Sequence, residues 1–435
     1  MEEKTKVLIV GVNLNHDPDF ENGLIELENL AEACDMEVVG VETQNISQVN
    51  TGVYIGKGKV EEVKALAHML EAEMVIFSQS LSPMQLRNLN QMIERAVIDR
   101  TSLILEIFSR RARSREAQIQ VETARLQYEL PRLAGIGEML SRQGGGSGGG
   151  FANKGAGEKK LELDRRKIRH RISELKKELK EVEQNRETKR KRRLTRGIAQ
   201  VALVGYTNAG KSTLMNALLD RFSPEDENEE QTEDRKVFVK DMLFATLDTT
   251  VRKIVLPDNQ EFLLSDTVGF VSRLPHNLIE SFRSTLEEVC YADLLLHVVD
   301  YSDPSFEEQM QVTGETLRQL GAEKIPCIHV YNKCDLLEDK DPGRMPEELP
   351  KVGDGCIYMA AGKGIGLDQL ADLIGRELAG DTVECQMLIP YSEGSLVSYF
   401  NENALVHETD YLAEGTRLSL RCKLQDLQKY KKYVL

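Results

Sequence analysis

One stretch of the chain, residues 199–219, fixes the kind of fold that must surround it. It reads AQVALVGYTNAGKSTLMNALL, an apolar run typical of a buried strand, then a glycine-containing loop, then an apolar run with helical spacing. The loop contains G-x-x-x-x-G-K-S, formed by Gly205, Gly210, Lys211 and Ser212. Between a strand and a helix, such glycines let backbone N–H groups turn inward around phosphate, and the helix N-terminus adds partial positive charge. The stretch therefore predicts a phosphate-binding loop in an α/β domain.

The side chains of this loop have distinct chemical roles. Lys211 can reach the β- and γ-phosphates of a nucleoside triphosphate, and the Ser212 hydroxyl can ligate Mg²⁺. The predicted phosphate-binding residues are Gly205, Tyr206, Thr207, Asn208, Ala209, Gly210, Lys211, Ser212 and Thr213.

A second motif follows where another apolar strand should end. The run FLLSDTVGF places Asp266 and Gly269 in a D-x-x-G sequence, with Thr267 and Val268 between them. The Asp266 carboxylate can hold the Mg²⁺ shell through water, and the Gly269 N–H can sense a γ-phosphate. By itself D-x-x-G is a common turn, but its place downstream of the phosphate-binding loop favours the nucleotide role.

The third motif concerns the base. The run CIHVYNKCDLL supplies N-K-x-D in the residues Asn332, Lys333, Cys334 and Asp335. An aspartate there can accept two hydrogen bonds, from the guanine N1–H and the exocyclic amine, which adenine does not offer. The motif predicts binding of GTP and GDP rather than ATP.

A fourth segment, YMAAGKGIG, occupies the position of a guanine-contacting S-A-K loop. Ala360 replaces the serine, so we expect only backbone contacts, from Ala361 and Gly362; Ala360, Ala361 and Gly362 are all counted as predicted nucleotide-binding residues.

Between the first two motifs lies LFATLDTT, which we interpret as a switch segment made of Phe244, Ala245, Thr246, Leu247 and Asp248. Thr246 is our choice for the residue that completes the Mg²⁺ shell when a γ-phosphate is present. Thr249 and Thr250 compete for that role, and an ordinary strand-edge threonine remains an alternative. The predicted metal ligands are Ser212, Thr246 and Asp266, and the predicted catalytic residues are Lys211, Thr246 and Gly269.

The catalytic set has a gap. Ras-like domains carry a water-orienting glutamine directly after D-x-x-G, but this chain has Phe270. Because a phenyl ring cannot orient water, we expect slow intrinsic hydrolysis unless another group, a monovalent cation or a partner positions the water. Asn208 is a candidate ligand for K⁺ near the β- and γ-phosphates. An asparagine that only suits the backbone of the loop is an equal alternative.

Bulk properties narrow the class of protein. The 435 residues exceed one hydrophobic core, so several domains are expected. We find no run of about 18 apolar residues and no signal-peptide pattern, which predicts a cytoplasmic protein without a membrane span. Seven scattered cysteines fit reduced thiols, and the net charge of −15 argues against general nucleic-acid binding. Two stretches, 110–132 and 158–196, are basic although the net charge of the chain is negative. Each is either a solvated helix face or an RNA contact.

Alternating apolar patterns divide the chain into four parts. Residues 1–135 begin as strand, helix, strand, helix, strand and continue, over 84–134, as long helices interrupted near 97–107. Residues 136–196 hold the glycine-rich GGGSGGG segment and a basic helix, whose apolar stripe from Leu161 to Val182 should pack on residues 119–130 as a hairpin. Residues 197–378 form the predicted Ras-like P-loop domain, and 379–435 a small α+β domain. The fold class is thus α/β with a parallel-sheet N-terminal domain.

The motifs together resemble a known family. GYTNAGKST, FATLDTT, DTVGF and NKCD resemble translation-factor-related GTPases in which a hydrophobic residue replaces the catalytic glutamine. Outside that domain YIGKGKVEEV, GAGEKKLELDRRKIRHRI and the long segment 81–133 are similar to signature stretches of the HflX GTPase family. The resemblance covers residues 5–375. It implies the large ribosomal subunit and its RNA as partners, and a role in splitting or rescuing stalled ribosomes. We expect the chain to act as a monomer.

Two other classes stay open from the sequence. One is a GTPase of ribosome assembly or tRNA modification, and the other is an RNA-binding scaffold that senses nucleotide without hydrolysing it. An acidic insert, 223–234, lies within the predicted switch region and departs from the family pattern.

Overall fold

The computed structural model describes residues 4–15, 17–142, 151–194, 198–222, 244, 250–257, 260–272, 288–379 and 382–435. The chain divides into two compact units. The first comprises residues 1–191, 240–248 and 271–285, and the second comprises 192–239, 249–270 and 286–435. The glycine-rich segment 144–150, the acidic insert and residues 245–249 lie outside the described residues.

The first unit is built on a four-stranded parallel sheet in the order β2-β1-β3-β4. Its strands are β1 (Thr5–Leu14), β2 (Met36–Ile46), β3 (Met74–Phe77) and β4 (Ala96–Asp99), and its helices are α1 (Phe20–Ala33), α2 (Lys57–Met69), α3 (Pro83–Ile93) and α4 (Arg100–Arg111). The middle of β1 is buried because its apolar residues face helices on both sides. The alternation of strand and helix was predicted, whereas β4 falls where we expected an interrupted helix.

Local signals explain where two of these helices begin. Ser82 and Gln85 form a reciprocal capping box ahead of Pro83 in the first turn of α3. Asp99 caps α4 by accepting a hydrogen bond from the Ser102 N–H at 3.0 Å.

Two long helices, α5 (Arg115–Arg142) and α6 (Phe151–Leu194), form the predicted hairpin. Ion pairs join Arg115 to Glu178 at 2.6 Å and Glu122 to Arg171 at 2.8 Å. These pairs run in opposite directions along the two helices, so the helices are antiparallel. Ile119 and Leu175 are buried, as the apolar stripe predicts. Because α5 crosses residue 135, the four-part division of the chain stays a prediction.

The second unit contains a seven-stranded sheet in the order β10-β11-β9-β8-β5-β7-β6. Its strands are β5 (Ala199–Val204), β6 (Thr250–Val255), β7 (Glu261–Asp266), β8 (Leu294–Asp300), β9 (Cys327–Asn332), β10 (Lys351–Gly353) and β11 (Cys356–Tyr358). Helices α7 (Lys211–Phe222), α8 (Phe306–Leu320), α9 (Leu337–Lys340) and α10 (Leu367–Ala379) connect them. Strands β11, β9, β8, β5 and β7 are parallel, while β10 and β6 pair antiparallel at the two edges.

The end of the chain forms a three-stranded antiparallel sheet in the order β12-β14-β13. Its elements are β12 (Thr382–Ile389), α11 (Gly394–Asn403), β13 (Leu405–Leu412), β14 (Gly415–Lys423) and α12 (Leu424–Lys429). Met387, Phe400 and Leu418 are the fully buried centre of a separate apolar cluster. This is the small α+β segment that the sequence predicts.

None of the described helices is long and apolar enough to cross a lipid bilayer. All seven cysteines are free thiols.

Candidate nucleotide-binding site

The sequence motifs converge at one edge of the seven-stranded sheet. Parallel strands bring their carboxyl ends to the same edge, which is where open α/β sheets bind ligands. Strand β5 ends at Val204, β7 at Asp266, β8 at Asp300 and β9 at Asn332. The first three sequence motifs therefore follow strands β5, β7 and β9 of one sheet, with β8 between β9 and β5.

The phosphate-binding loop adopts a backbone that only certain residues tolerate. Gly205 and Gly210 have φ of 144° and 94°, and Asn208 has φ of 61°. A Cβ on Gly205 would lie 2.2 Å from the Val298 carbonyl oxygen, so no side chain fits there. Asn208 is exposed and left-handed, a conformation that asparagine adopts more readily than most residues. That geometry supports the backbone role of Asn208.

Lys211 is enclosed by the loop. Its side chain is buried, and Nζ donates hydrogen bonds to the carbonyl oxygens of Gly205 at 3.0 Å and Tyr206 at 2.7 Å. Burial lowers the pKa of Lys211 to about 8, an effect that Asp266 opposes and Lys333 reinforces. A phosphate group in the loop would supply the negative charge that favours the protonated amine.

Two side chains with oxygen atoms that can ligate a metal lie next to each other beside the loop. The Ser212 hydroxyl donates to the Asp266 Oδ2 at 2.7 Å, and Asp266 is fully buried. A hydroxyl and a carboxylate are hard oxygen ligands of the kind that Mg²⁺ prefers. The donor set therefore fits this ion.

The D-x-x-G turn is fastened to the phosphate-binding loop by backbone hydrogen bonds. The Thr207 N–H donates to the Phe270 carbonyl at 2.7 Å, and the Phe270 N–H donates to the Gly205 carbonyl at 3.1 Å. A Cβ on Gly269 would lie 2.9 Å from both Lys211 Nζ and Thr207, so only glycine fits. The D-x-x-G turn and the phosphate-binding loop are therefore in direct contact.

The phenyl ring of Phe270 belongs to the hydrophobic core. The side chain is 2% exposed and lies in an apolar cluster with Val204, Val289, Leu295 and Leu317, among others. The residue that stands in place of the catalytic glutamine is therefore a packing residue, and its side chain adds no polar atom to the site.

Asn332 joins three of the motifs. Its Nδ2 donates to the Ala209 carbonyl at 3.0 Å, and its Oδ1 accepts from the Ala361 N–H at 2.9 Å. Asn332 is 2% exposed. A Cβ on Gly210 would lie only 2.4 Å from the Asn332 Nδ2, so the amide packs directly against this glycine. The phosphate loop, N-K-x-D and the 360–362 loop are thereby held together.

At the end of the site where the sequence predicts guanine binding, which we call the base end, the charged side chains form ion pairs. Asp335 forms an ion pair with Lys363 at 3.2 Å, and Lys333 pairs with Asp300 at 2.8 Å. The Cys334 side chain is buried, and burial raises the pKa of its thiol to about 12. Ala360 is buried as well, and its N–H donates to the Ile365 carbonyl at 3.2 Å.

Sequence reasoning missed Asp300 and Lys363 at this end of the site. Asp300 follows the apolar run LLLHVV, so a carboxylate at a strand end was a usable signal. Lys363 comes directly after the predicted 360–362 loop, but only the fold brings it to Asp335.

Of the predicted switch segment, Phe244 is the described residue. It is buried, and its ring packs edge-on against Phe108 with centroids 4.7 Å apart, inside the first unit. Ala245, Thr246, Leu247 and Asp248 lie outside the described residues, so the role of Thr246 stays a prediction.

A partly buried polar network surrounds Ser272, which comes three residues after Gly269. Arg100 Nη2 donates to Glu26 at 2.6 Å, to the Ser272 carbonyl at 3.1 Å and to the Ser272 hydroxyl at 3.2 Å. The Ser272 hydroxyl donates to the same Glu26 oxygen at 2.5 Å. All three residues belong to the first unit, and Arg100 is 4% exposed. Sequence reasoning missed this network because its members are far apart in the chain.

Three family models match consecutive parts of the chain. Residues 21–109 match the family model "GTP-binding GTPase N-terminal", 111–193 match "GTP-binding GTPase Middle Region", and 200–333 match "50S ribosome-binding GTPase". A GTP-binding protein of Sulfolobus solfataricus, solved with GDP, is 24% identical with a TM-score of 0.43, covering 86% of this chain and 99% of that one.

Curated relatives match over nearly the whole length. GTPase HflX of Caldanaerobacter subterraneus is 43% identical over 98% of this chain and 93% of that protein. GTPase HflX of Escherichia coli is 37% identical over 96% of this chain and 93% of that protein. With the three family models and the phosphate, D-x-x-G and N-K-x-D geometry on one sheet edge, the chain belongs to the HflX family of GTPases.

Proposed function

We propose that this chain is a Mg²⁺-dependent GTPase that binds the large ribosomal subunit and hydrolyses GTP faster when bound. Its expected role is to split or rescue stalled ribosomes, which are cytoplasmic, and to do so as a monomer. The observation that carries the proposal is the position of Phe270. The side chain that should prepare the attacking water is buried in the core, so full activity needs a group from outside the loop.

The residues at the sheet edge divide the work on GTP. Lys211 contacts the β- and γ-phosphates, and the loop N–H groups cradle them. Ser212 and Asp266, with Thr246 in the GTP state, would hold Mg²⁺, which neutralises charge that develops on the phosphate oxygens. The Gly269 N–H faces the γ-phosphate. These assignments explain why Gly269 must approach Lys211 so closely.

The N-K-x-D residues at the end of strand β9 recognise the base. Asp335 accepts hydrogen bonds from guanine, and Lys363 holds its carboxylate in place. Lys333, fixed by Asp300, lies along the base. Asn332 keeps the phosphate loop and the 360–362 loop in register, so that phosphate and base are bound at a fixed separation.

Two contacts of the first unit support stimulation by a partner. Ser272 lies just after D-x-x-G and is hydrogen-bonded to Arg100 in the first unit. Phe244 lies just before Thr246 and is buried against Phe108 in the same unit. That unit also carries the hairpin α5–α6, rich in lysine and arginine, which gives ribosomal RNA phosphates a docking surface. RNA binding to the hairpin would therefore act on a unit that holds both switch-flanking residues.

The test is single-turnover phosphate release from preloaded GTP, with and without purified large subunits. We expect at least about ten-fold stimulation, which requires only ~1.4 kcal/mol of added transition-state stabilisation. Small subunits at equal concentration are the control for non-specific RNA. Stimulation should weaken as salt rises, because phosphate contacts release counterions. Equal rates with and without large subunits at every salt concentration would refute the proposal.

A second experiment addresses the Ser272 contacts. Ser272→Ala removes the hydroxyl bonds to Arg100 and Glu26 but leaves the backbone bond. We expect a smaller stimulation by large subunits while co-sedimentation with them is unchanged. Ser305→Ala is the control, since Ser305 precedes helix α8 without a side-chain cap bond. Unaltered stimulation in Ser272→Ala would show that the network is only structural.

A further inference from the structure

Two histidines and a cysteine lie together on the central strands of the second unit. His297 is on β8, and Cys327 and His329 are on β9. His297 stands opposite His329 in the parallel ladder, and Leu295 stands opposite Cys327. Since residues two apart share a face of a strand, the three side chains point to the same side of the sheet.

Their potential ligand atoms are close. One nitrogen of each imidazole and the Cys327 sulfur all lie within 4.8 Å of one another, and the imidazole centroids are 5.3 Å apart. Zinc binds nitrogen and sulfur at about 2.0–2.3 Å, so tetrahedral ligand atoms sit roughly 3.3–3.6 Å apart. Small rotations about the side-chain bonds of His329 and Cys327 would close that difference of about 1 Å.

Within the described ranges, one polar atom of the cluster lacks a hydrogen-bond partner. The Nδ1 of His329 is buried and has no hydrogen-bond partner within the part of the chain that the structure describes. The Cys327 sulfur makes a long contact, 3.9 Å, with the Ile328 carbonyl and a hydrogen bond with the His297 backbone, and it has no charged partner among the described residues. A buried polar atom without a partner costs about 1–3 kcal/mol, so such an atom in a native core calls for a ligand or another explanation.

The electrostatic setting favours neutral imidazoles. Burial, with smaller contributions from His329 and Lys211, lowers the pKa of His297 to about 3. Burial also lowers the pKa of His329. Burial also raises the pKa of the Cys327 thiol to about 11, so a metal that binds through this sulfur must displace its proton. His329 and Cys327 are only partly buried, so an ion and a water have a path from solvent.

We propose that His297, Cys327 and His329 form a binding site for a divalent cation of the zinc class, with water as the fourth ligand. The ligand set of two nitrogens and one sulfur selects this class over Mg²⁺, which prefers oxygen. The site is separate from the Ser212–Asp266 pair. It joins β8 to β9, the strands that end at Asp300 and Asn332, so an ion bound here would brace the base end of the nucleotide site.

Cobalt substitution tests the site on the full chain. The protein is stripped with a chelator and titrated with Co²⁺ in excess Mg²⁺, and its absorption spectrum is recorded. Binding through Cys327 gives a thiolate-to-cobalt charge-transfer band together with the intense visible bands of a tetrahedral ion. Cobalt at the oxygen ligands of the nucleotide site gives neither, so the two locations are distinguishable. We expect saturation at one equivalent and displacement of the cobalt by Zn²⁺.

Substitutions identify the ligands. Cys327→Ser should abolish the charge-transfer band, and His329→Gln should reduce cobalt affinity at least ten-fold. Cys290→Ser, which changes a partly buried thiol outside the cluster, should leave the spectrum unchanged. Binding of a fluorescent GDP analogue verifies that each variant is folded. A spectrum without the charge-transfer band in the parent chain, or one retained in Cys327→Ser, would overturn the proposal.

Discussion

Phe270→Gln restores the residue type that Ras-like domains use to orient water, yet we predict that it will not accelerate hydrolysis. The Phe270 ring is 2% exposed and packs on Val204, Val289 and Leu295. Its backbone N–H and carbonyl are both bonded to the phosphate-binding loop. A glutamine at this position would start from the same backbone and point into the same apolar cluster.

The loss of stability expected for Phe270→Gln follows from the burial of the ring. Truncating a buried phenylalanine costs about 3–5 kcal/mol, and glutamine recovers part of that through its methylenes. Placing its amide among apolar side chains without partners costs roughly another 1–3 kcal/mol. We therefore expect a loss of about 3–6 kcal/mol in stability, a large part of the 5–15 kcal/mol typical of a domain.

Phe270→Leu is the matched control, because leucine keeps the site apolar and loses only part of the ring volume. Thermal unfolding should rank the parent above Phe270→Leu and Phe270→Gln lowest. Single-turnover phosphate release, measured without ribosomes at a temperature where all three are folded, should show no gain for the glutamine variant. A ten-fold faster rate in Phe270→Gln with unchanged stability would refute the core assignment, since the side chain would then reach the nucleotide.

Three further predictions concern the binding site. Asn332→Ala should weaken GDP binding at least ten-fold in fluorescence titrations, because it leaves the buried Ala209 carbonyl and Ala361 N–H without their partner; an unchanged affinity would contradict the bridging role. Asp335→Asn should shift preference from guanine to xanthine nucleotides, since the amide donates where guanine also donates; competition titrations with both nucleotides measure this, and unchanged GTP affinity would count against Asp335 as base reader. The pKa of Lys211, about 8 against 10.5 for an ordinary lysine, gives two pH effects. Between pH 8 and 10.5 the unfolded chain binds more protons, so stability of the nucleotide-free form should rise with pH in urea titrations. GDP affinity should fall over the same range, because phosphate favours the protonated amine; a flat affinity profile would exclude Lys211 as the phosphate ligand.

The nucleotide motifs could be predicted from the sequence because each is a short segment whose geometry is set locally. Gly205 and Gly210 are required by their φ values and close contacts, and Asp266 and Asn332 simply end apolar strands. The parallel strands of the folded sheet then bring the motifs to a single edge.

Features that depend on distant residues could not be read in the same way. The short strand Ala96–Asp99 has too few residues to show a period, so the sequence pattern predicts only an interruption near 97–107 between long helices. The pairing of His297 with His329 depends on strand order and register, which spacing does not reveal. Arg100 and Ser272 are 172 residues apart, and a serine after D-x-x-G carries no signal that a buried arginine will bind it.

The chain between Gly269 and Ser272 has two anchors of unequal strength, and the inequality indicates where a switch would yield. Phe270 is held by a buried ring, worth about 3–5 kcal/mol, and by two backbone hydrogen bonds to the phosphate-binding loop. Ser272 is held by three hydrogen bonds to Arg100 and Glu26, which together contribute roughly 2–4 kcal/mol net because water can replace them. Arg100 and Glu26 remain paired at 2.6 Å without Ser272, so releasing the serine leaves no isolated buried charge. A force on this segment, from nucleotide or from a bound partner, would therefore detach Ser272 before it displaced Phe270.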